Sequence, residues 1–72
     1  MWIGRAFRLR EKLRAIGDRG GAELIPAGEI VLVTSEKTMH VVTIRSKGRS
    51  LTVFADSLES AGEDVDGAEY TG

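Results

Sequence analysis

The middle of this chain contains three short runs of largely apolar and β-branched residues, with only two or three residues between them. The runs are 29–34 (EIVLVT), 38–46 (TMHVVTIRS) and 49–55 (RSLTVFA), connected by SEK and by KG. Gly48, in the second connection, is able to adopt the positive φ that a tight hairpin turn needs. This spacing predicts a three-stranded antiparallel meander.

Both faces of these predicted strands carry apolar residues. Successive residues of a strand point to opposite sides of a sheet. On the middle run, one face therefore presents His40, Val42 and Ile44 and the other presents Met39, Val41, Thr43 and Arg45. On the last run, Leu51 and Val53 oppose Thr52 and Phe54. Strands with two apolar faces are expected in a small closed or two-layered barrel. The following segment DSLES, at 56–60, is predicted to form one helical turn with Asp56 as its cap.

The only proline lies in PAG, at 26–28, and marks a corner. Pro26 has no N–H to donate and a fixed φ, which excludes it from a central strand. Gly28 supplies backbone freedom two residues later. We expect a short strand around 22–25 to end here and the next one to begin at Glu29.

The N-terminal segment fits two structures. Its apolar residues recur at helical spacing, and Gly17 is a suitable terminator, so a helix at about 5–16 packed on the meander would give an α+β fold. Apolar residues also alternate with arginines and lysines, as in a half-buried strand. In that case GDRGG, at 17–21, is a hairpin loop. The residue pattern alone slightly favours the helix.

Three blocks of the sequence resemble a group of short, uncharacterised bacterial proteins: MWIGRAFRL, IPAGEIVLV and GRSLTVFADSLESAGE. The resemblance spans about residues 1–63 and implies an all-β fold, a small five-stranded SH3-like barrel with a short terminal helical turn. The segment REKLRAI stands where the group has β-branched residues after the first block, so an N-terminal helix remains an alternative. The resemblance implies no activity. We assign 1–61 to one domain and the acidic, Gly-rich segment 62–72 to a mobile tail.

The size of the chain bears on its partners. A chain of 72 residues buries only about 60% of its unfolded surface. It has no cysteine, so no disulfide strengthens its marginal core, and a partner copy is one remedy. We weigh a homo-oligomer equally against a monomer. Neither a signal peptide nor a membrane span is evident, and we expect a soluble cytoplasmic protein with no membrane partner.

Charge is distributed unevenly along the chain. Residues 1–21 carry six Lys and Arg against two acids, whereas residues 51–72 carry six acids and no base. Such asymmetry fits a basic surface for a polyanion. It also fits two ends that lie together and neutralise each other, which the net charge of −1 favours.

No constellation of residues predicts catalysis, a metal site or a cofactor. The glycines at 17, 20 and 21 lack the spacing of a phosphate loop, and nothing singles out a serine and an acid to accompany His40, the only imidazole. We therefore expect a protein that is not an enzyme. Its candidate binding residues are the sole tryptophan, a strand histidine and the basic tip of the 46–49 hairpin: Trp2, His40, Arg45, Lys47 and Arg49.

Three functions are consistent with this sequence. The leading hypothesis is a non-enzymatic binding or assembly module that acts through loops or edge strands. The second is nucleic-acid binding through the basic N-terminal half. The third is a shared-pore oligomeric enzyme, because LTVFADSLE is loosely similar to the closing strand of type II dihydrofolate reductases. Thr52 and Phe54 stand where that family's V-Q-I-Y motif has glutamine and tyrosine, so its hydrogen-bonding groups are missing.

Overall fold

The computed structural model describes residues 1–71. Within them, seven strands form one antiparallel sheet in the order β3-β2-β6-β5-β4-β1-β7, accompanied by one α-helix and a 3-10 turn. The elements are β1 (Ala6–Leu9), β2 (Leu13–Gly17), β3 (Ala22–Ile25), β4 (Ile30–Val33), β5 (Val41–Ser46), β6 (Arg49–Phe54), α1 (Ala55–Ala61), β7 (Gly62–Val65) and the 3-10 turn (Gly67–Glu69).

The mostly β architecture predicted from the sequence is confirmed, but the closed five-stranded SH3-like barrel is wrong. The sheet has seven strands, and β3 and β7 are free edges. The structure has two strands more than the five that were predicted. The chain turns at residues 10–12, which makes two strands of the N-terminal segment, and it returns to the sheet as β7 after α1.

The alternative N-terminal helix at 5–16 is also wrong. β1 is hydrogen-bonded to β4 on one side and to β7 on the other, so its backbone groups are satisfied by the sheet. In β2, Leu13 and Ala15 are buried while Arg14 and Ile16 are exposed. This period of two is the strand alternation, and it prevails over the helical spacing because neighbouring strands bury the apolar side.

The sheet curls around a single hydrophobic core. α1 contacts β7 and β1, at one end of the strand order, and also β6 and β2, towards the other end. The helix therefore lies across the opening of the curled sheet. Leu58 anchors it and is fully buried. The largest buried side chains around it are Phe7, Leu9, Ile44, Val31, Val33 and Val42.

The predicted turns are formed. Gly28 has φ 91°, and Glu29 N–H donates to the Pro26 carbonyl at 3.4 Å, which makes PAG the corner between β3 and β4. Gly17 N–H donates to the Gly21 carbonyl at 2.8 Å across the hairpin that joins β2 to β3. Gly48, with φ 77°, completes the β5–β6 hairpin.

The C-terminal part differs from the prediction in two respects. α1 begins one residue early, because Ala55 N–H donates to the His40 carbonyl at 2.8 Å. Asp56 consequently lies in the first turn and does not cap the helix. In addition, residues 62–65 belong to the sheet, although the sequence assigned 62–72 to a tail beyond the domain. The mobility of that tail stays a prediction, and Gly72 lies outside the described residues.

Candidate functional site

The oppositely charged ends of the chain neutralise each other across β1 and β7. The guanidinium of Arg5 lies 3.0 Å from Asp64 and 3.8 Å from Glu59. Arg8 lies 3.6 Å from Glu63 and also pairs with Glu69. Four of the six acids at 51–72 are therefore paired, but within residues 1–71 only two of the six cations at 1–21 are paired with them, so the neutralisation expected of neighbouring ends holds in part.

Trp2 lies in a packed cluster beside these ion pairs. The Arg5 guanidinium is 4.4 Å from the centre of the Trp2 ring and 4.8 Å from that of Phe7. The two rings stack with centroids 6.4 Å apart. Glu36 accepts hydrogen bonds from the backbone N–H of Trp2 (2.9 Å) and of Ile3 (3.2 Å). These contacts give Trp2 a packing role, and its role in binding stays a prediction.

The predicted basic hairpin tip is mostly paired. Lys47 lies 3.6 Å from Glu29, and Arg49 pairs with Glu23. The hydrogen bond from Arg49 to the Glu23 carboxylate raises the pKa of that arginine. Among residues 1–71, only Arg45 of the three predicted cations has no carboxylate within ion-pair distance. The tip is therefore not a concentrated positive surface.

The strongest candidate site is an uncovered apolar surface on the outer side of β2, β6 and β5, which we name the outer apolar face. The strand register places Ile16 beside Thr52, and Val41 beside Phe54. These side chains surround a groove of about 180 Å³. Its lining residues are Arg14, Ala15, Ile16, Val41, Thr52, Val53, Phe54 and Ser57. Phe54 is 57% exposed and Ile16 is 46% exposed.

The face extends to the free edge of the sheet. Leu24 of β3 is paired in register with Arg14 of β2 and is 60% exposed. A shallow depression lies between these two residues, Ala22 and Glu23. An apolar surface therefore continues from the centre of the sheet to edge strand β3.

A strained turn stands at the other rim of the face. Met39 and His40 have φ of 50° and 75°, and Thr38 and Val41 exchange backbone hydrogen bonds of 2.9 and 3.0 Å around them. The turn is fastened to the end of β6 by the His40 carbonyl, which accepts from Ala55 N–H. It presents Met39 almost fully to solvent, at 87% exposure. The strand predicted at 38–46 consequently begins at Val41.

None of the predicted site residues lines the groove. His40 lies in the turn immediately before Val41, whereas Trp2, Lys47 and Arg49 make the intramolecular contacts described above. Arg45 lies opposite Ser50 on the polar half of the outer side. Sequence reasoning did not select Ile16 or Phe54, although the apolar residues on both strand faces were the signal for such a surface.

A larger depression lies elsewhere and has a different character. It is a shallow space of about 500 Å³ lined by Gly28, Glu29, Ile30, Lys47, Glu69, Tyr70 and Thr71. Glu29 and Lys47 pair with each other, and the Tyr70 hydroxyl is buried without a hydrogen-bond partner among the described residues. Throughout residues 1–71, no three His, Asp or Glu residues lie close enough together to hold a metal ion. Within the same residues, no helix is long and apolar enough to cross a membrane.

Comparison of the chain with protein-family models, curated proteins and solved structures gave no match. The function is therefore inferred from the outer apolar face and from the charges around it.

Proposed function

We propose that the protein is a small non-enzymatic binding or assembly module whose working surface is the outer apolar face. The observation that carries this proposal is the exposure of Phe54 and Ile16 around one groove, with half-buried Val41 between the strands. Contiguous apolar surface that stays in water forfeits about 25 cal/mol per Å² relative to burial. Such patches mark interaction sites more often than scattered apolar residues do.

The two other functions receive less support from the geometry. A nucleic-acid surface needs cations that are free to neutralise phosphates. In the basic N-terminal half, Arg5 and Arg8 already pair with carboxylates, so within residues 1–71 this hypothesis rests on the four cations without an ion pair: Arg10, Lys12, Arg14 and Arg19. The direct check is the variant Glu59→Gln/Glu63→Gln/Asp64→Asn/Glu69→Gln, which removes every carboxylate paired with Arg5 and Arg8. If nucleic-acid binding is the function, this variant binds DNA or RNA more tightly at low salt than the wild type does.

The shared-pore enzyme has one feature in its favour. Thr52 and Phe54 lie together on the outer side of β6, where several copies would meet around a pore. Neither side chain carries the amide or phenol that the V-Q-I-Y motif uses, and Phe54 has no polar atom at all. The expected result of titration with NADPH is therefore no change in the fluorescence of Trp2, and a saturable change would favour the enzyme.

The proposed function is tested by photo-crosslinking in cells. A benzophenone amino acid replaces Phe54 in the full chain, and the matched control places it at Ala27, which is exposed in the corner and does not line the groove. We expect discrete protein adducts from position 54 only. We further expect the same adducts to disappear when Ile16→Glu is added, because a charge in the groove opposes burial of its apolar wall. Equal labelling from both positions, or adducts that persist with Ile16→Glu, would contradict the proposal.

A further inference from the structure

We propose that the partner of the outer apolar face is a second copy of this chain, packed face to face so that Phe54 of each copy enters the groove of the other. This inference rests on the proposed function, since it names the occupant of the same surface. A sheet with free edges can also dimerise by pairing edge strands of two copies, so that arrangement has to be compared with face-to-face packing.

Strand pairing at β3 is disfavoured by its own residues. The backbone hydrogen bond from Gly17 to Gly21, continued in register through β3, directs the backbone groups of Glu23 towards β2. Those of Ala22 and Leu24 point outwards. Pairing the outward groups of two copies places Glu23 directly opposite the other copy's Glu23. Each carboxylate is paired with Arg49 of its own copy, which reduces but does not remove the cost of like charges in that position.

The other β3 register and the β7 edge are no better suited to pairing between copies. A pairing centred on Leu24 sets Ala22 against Pro26, which has no N–H to donate. At the opposite edge of the sheet, β7 exposes Glu63 and Asp64, and edge charges protect against association of sheets. Both edges thus oppose self-pairing, and the outer apolar face is the remaining self-complementary surface.

Charge complementarity supports a second copy on this face. Arg14 lines the groove, and Asp56 immediately precedes Ser57, which lines it too. Neither Arg14 nor Asp56 forms an ion pair within residues 1–71. In a twofold dimer the same patch meets itself, and the proposed packing sets Arg14 of each copy against Asp56 of the other, which gives both charges an opposite partner.

The available area predicts a weak dimer. A phenylalanine side chain offers about 150–250 Å², and Phe54 is 57% exposed. Together with Ile16, Leu24 and Met39, the face presents apolar area on the order of 400 Å² per copy, about half of the roughly 800 Å² per partner in a standard interface. We therefore expect a dissociation constant roughly in the micromolar range.

The test is sedimentation equilibrium of the full chain from about 5 to about 500 µM, where mass action makes a micromolar dimer visible. We expect a monomer–dimer equilibrium that Phe54→Glu weakens at least about tenfold. The matched control, Ala27→Glu, introduces the same charge at the exposed corner outside the groove and is expected to leave the constant within about twofold. Far-UV circular dichroism verifies that each variant is folded.

A charge exchange tests the contact between copies. Arg14→Asp and Asp56→Arg are each expected to weaken the dimer, and the double variant is expected to restore it, because the opposite charges are again paired across the axis. A chain that stays monomeric at the highest concentration overturns the inference, as does a dimer that Phe54→Glu leaves unchanged. If the pure chain is monomeric while the crosslinker at position 54 captures adducts of other masses in cells, the inference fails and the proposed function stands. If the pure chain is monomeric and position 54 gives no adducts in cells, both the inference and the proposed function fail.

Discussion

The turn before β5 stores backbone strain that replacement of two residues should release. Met39 and His40 both have positive φ, which a two-residue type I′ hairpin turn requires at its two central positions. Asn-Gly is the preferred pair there. A residue with a Cβ pays about 1–2 kcal/mol in the left-handed region. The two residues together therefore store roughly 2–4 kcal/mol.

The perturbation is the double variant Met39→Asn/His40→Gly. Asparagine and glycine adopt positive φ at much lower cost, but glycine loses about 0.5–1 kcal/mol of backbone entropy on folding. We expect a net gain of about 1–2 kcal/mol in the free energy of unfolding. For a domain of this size the melting temperature rises by about 4–8 °C per kcal/mol. Lys47→Asn is the matched control, because Lys47 is a single non-glycine residue with φ 50° in the other tight turn, and its gain should be about half as large.

The assay is urea unfolding followed by the fluorescence of Trp2 and by circular dichroism, at a protein concentration low enough to keep the chain monomeric. A double variant that is no more stable than the wild type, while Lys47→Asn gains stability, would refute the reasoning. It would show that Met39 and His40 make contacts in the monomer that are worth more than the strain. If the reasoning holds, the same double variant should dimerise less tightly, since Met39 is removed from the rim of the outer apolar face. The strain would then be a cost of presenting that side chain.

Three further changes test the core, an unpartnered hydroxyl and an acid-sensitive contact. Leu58→Ala removes a fully buried side chain and should lower the free energy of unfolding, measured in urea, by about 2–5 kcal/mol. The control Phe54→Ala, at an exposed site, should change that free energy in the monomer by no more than about 0.5 kcal/mol. Equal losses in the two variants would contradict the assigned core. Tyr70→Phe deletes a buried hydroxyl that has no partner among the described residues, and it should raise the free energy of unfolding by about 1 kcal/mol; a clear loss in thermal melts would show that the hydroxyl is bonded. Hydrogen bonds from the backbone of Trp2 and Ile3 hold the pKa of Glu36 below its ordinary value of 4.5. The stability that ionised Glu36 contributes is therefore present above pH 4.5 and is lost as the pH falls through the lower pKa of the folded state. Glu36→Gln should therefore reduce the loss of stability between pH 5 and pH 3 relative to wild type, in unfolding experiments at each pH, and an identical loss would argue against the contact.

The parts of the fold that were predictable from the sequence are those set by local chemistry. Apolar, β-branched runs separated by short polar turns located the central meander, and Pro26 and Gly48 located two turns because each residue restricts or frees the backbone at its own position. The turn at Met39 and His40 was not predicted, because neither residue is a glycine or a proline that marks a turn by its own backbone chemistry. Its conformation is imposed by the strands it connects.

The N-terminal and C-terminal strands depended on partners distant in sequence. β1 is a strand because β4 and β7 flank it, and nothing in the pattern of residues 5–16 reveals those neighbours. The charged residues of the predicted site behaved similarly. Arg49 finds Glu23, 26 residues earlier, and Arg5 finds Asp64, 59 residues later. Part of the basic charge in the sequence is thus paired in the fold with acids that are distant in the chain.

The apolar residues on both sides of β5 and β6 connect the sequence, the fold and the proposed assembly. The inner side is accounted for, because Val42 and Val53 are buried in the single core. The outer side has no such requirement, since an antiparallel sheet with one solvated face ordinarily alternates apolar with polar residues. Val41 and Phe54 break that alternation where the groove lies. Phe54 is 57% exposed and lies outside the core of the monomer, whereas the proposed dimer would bury it. A single polar substitution, Phe54→Ser, should therefore separate the two processes, leaving the unfolding curve of the dilute chain nearly unchanged while it abolishes the concentration dependence of its mass.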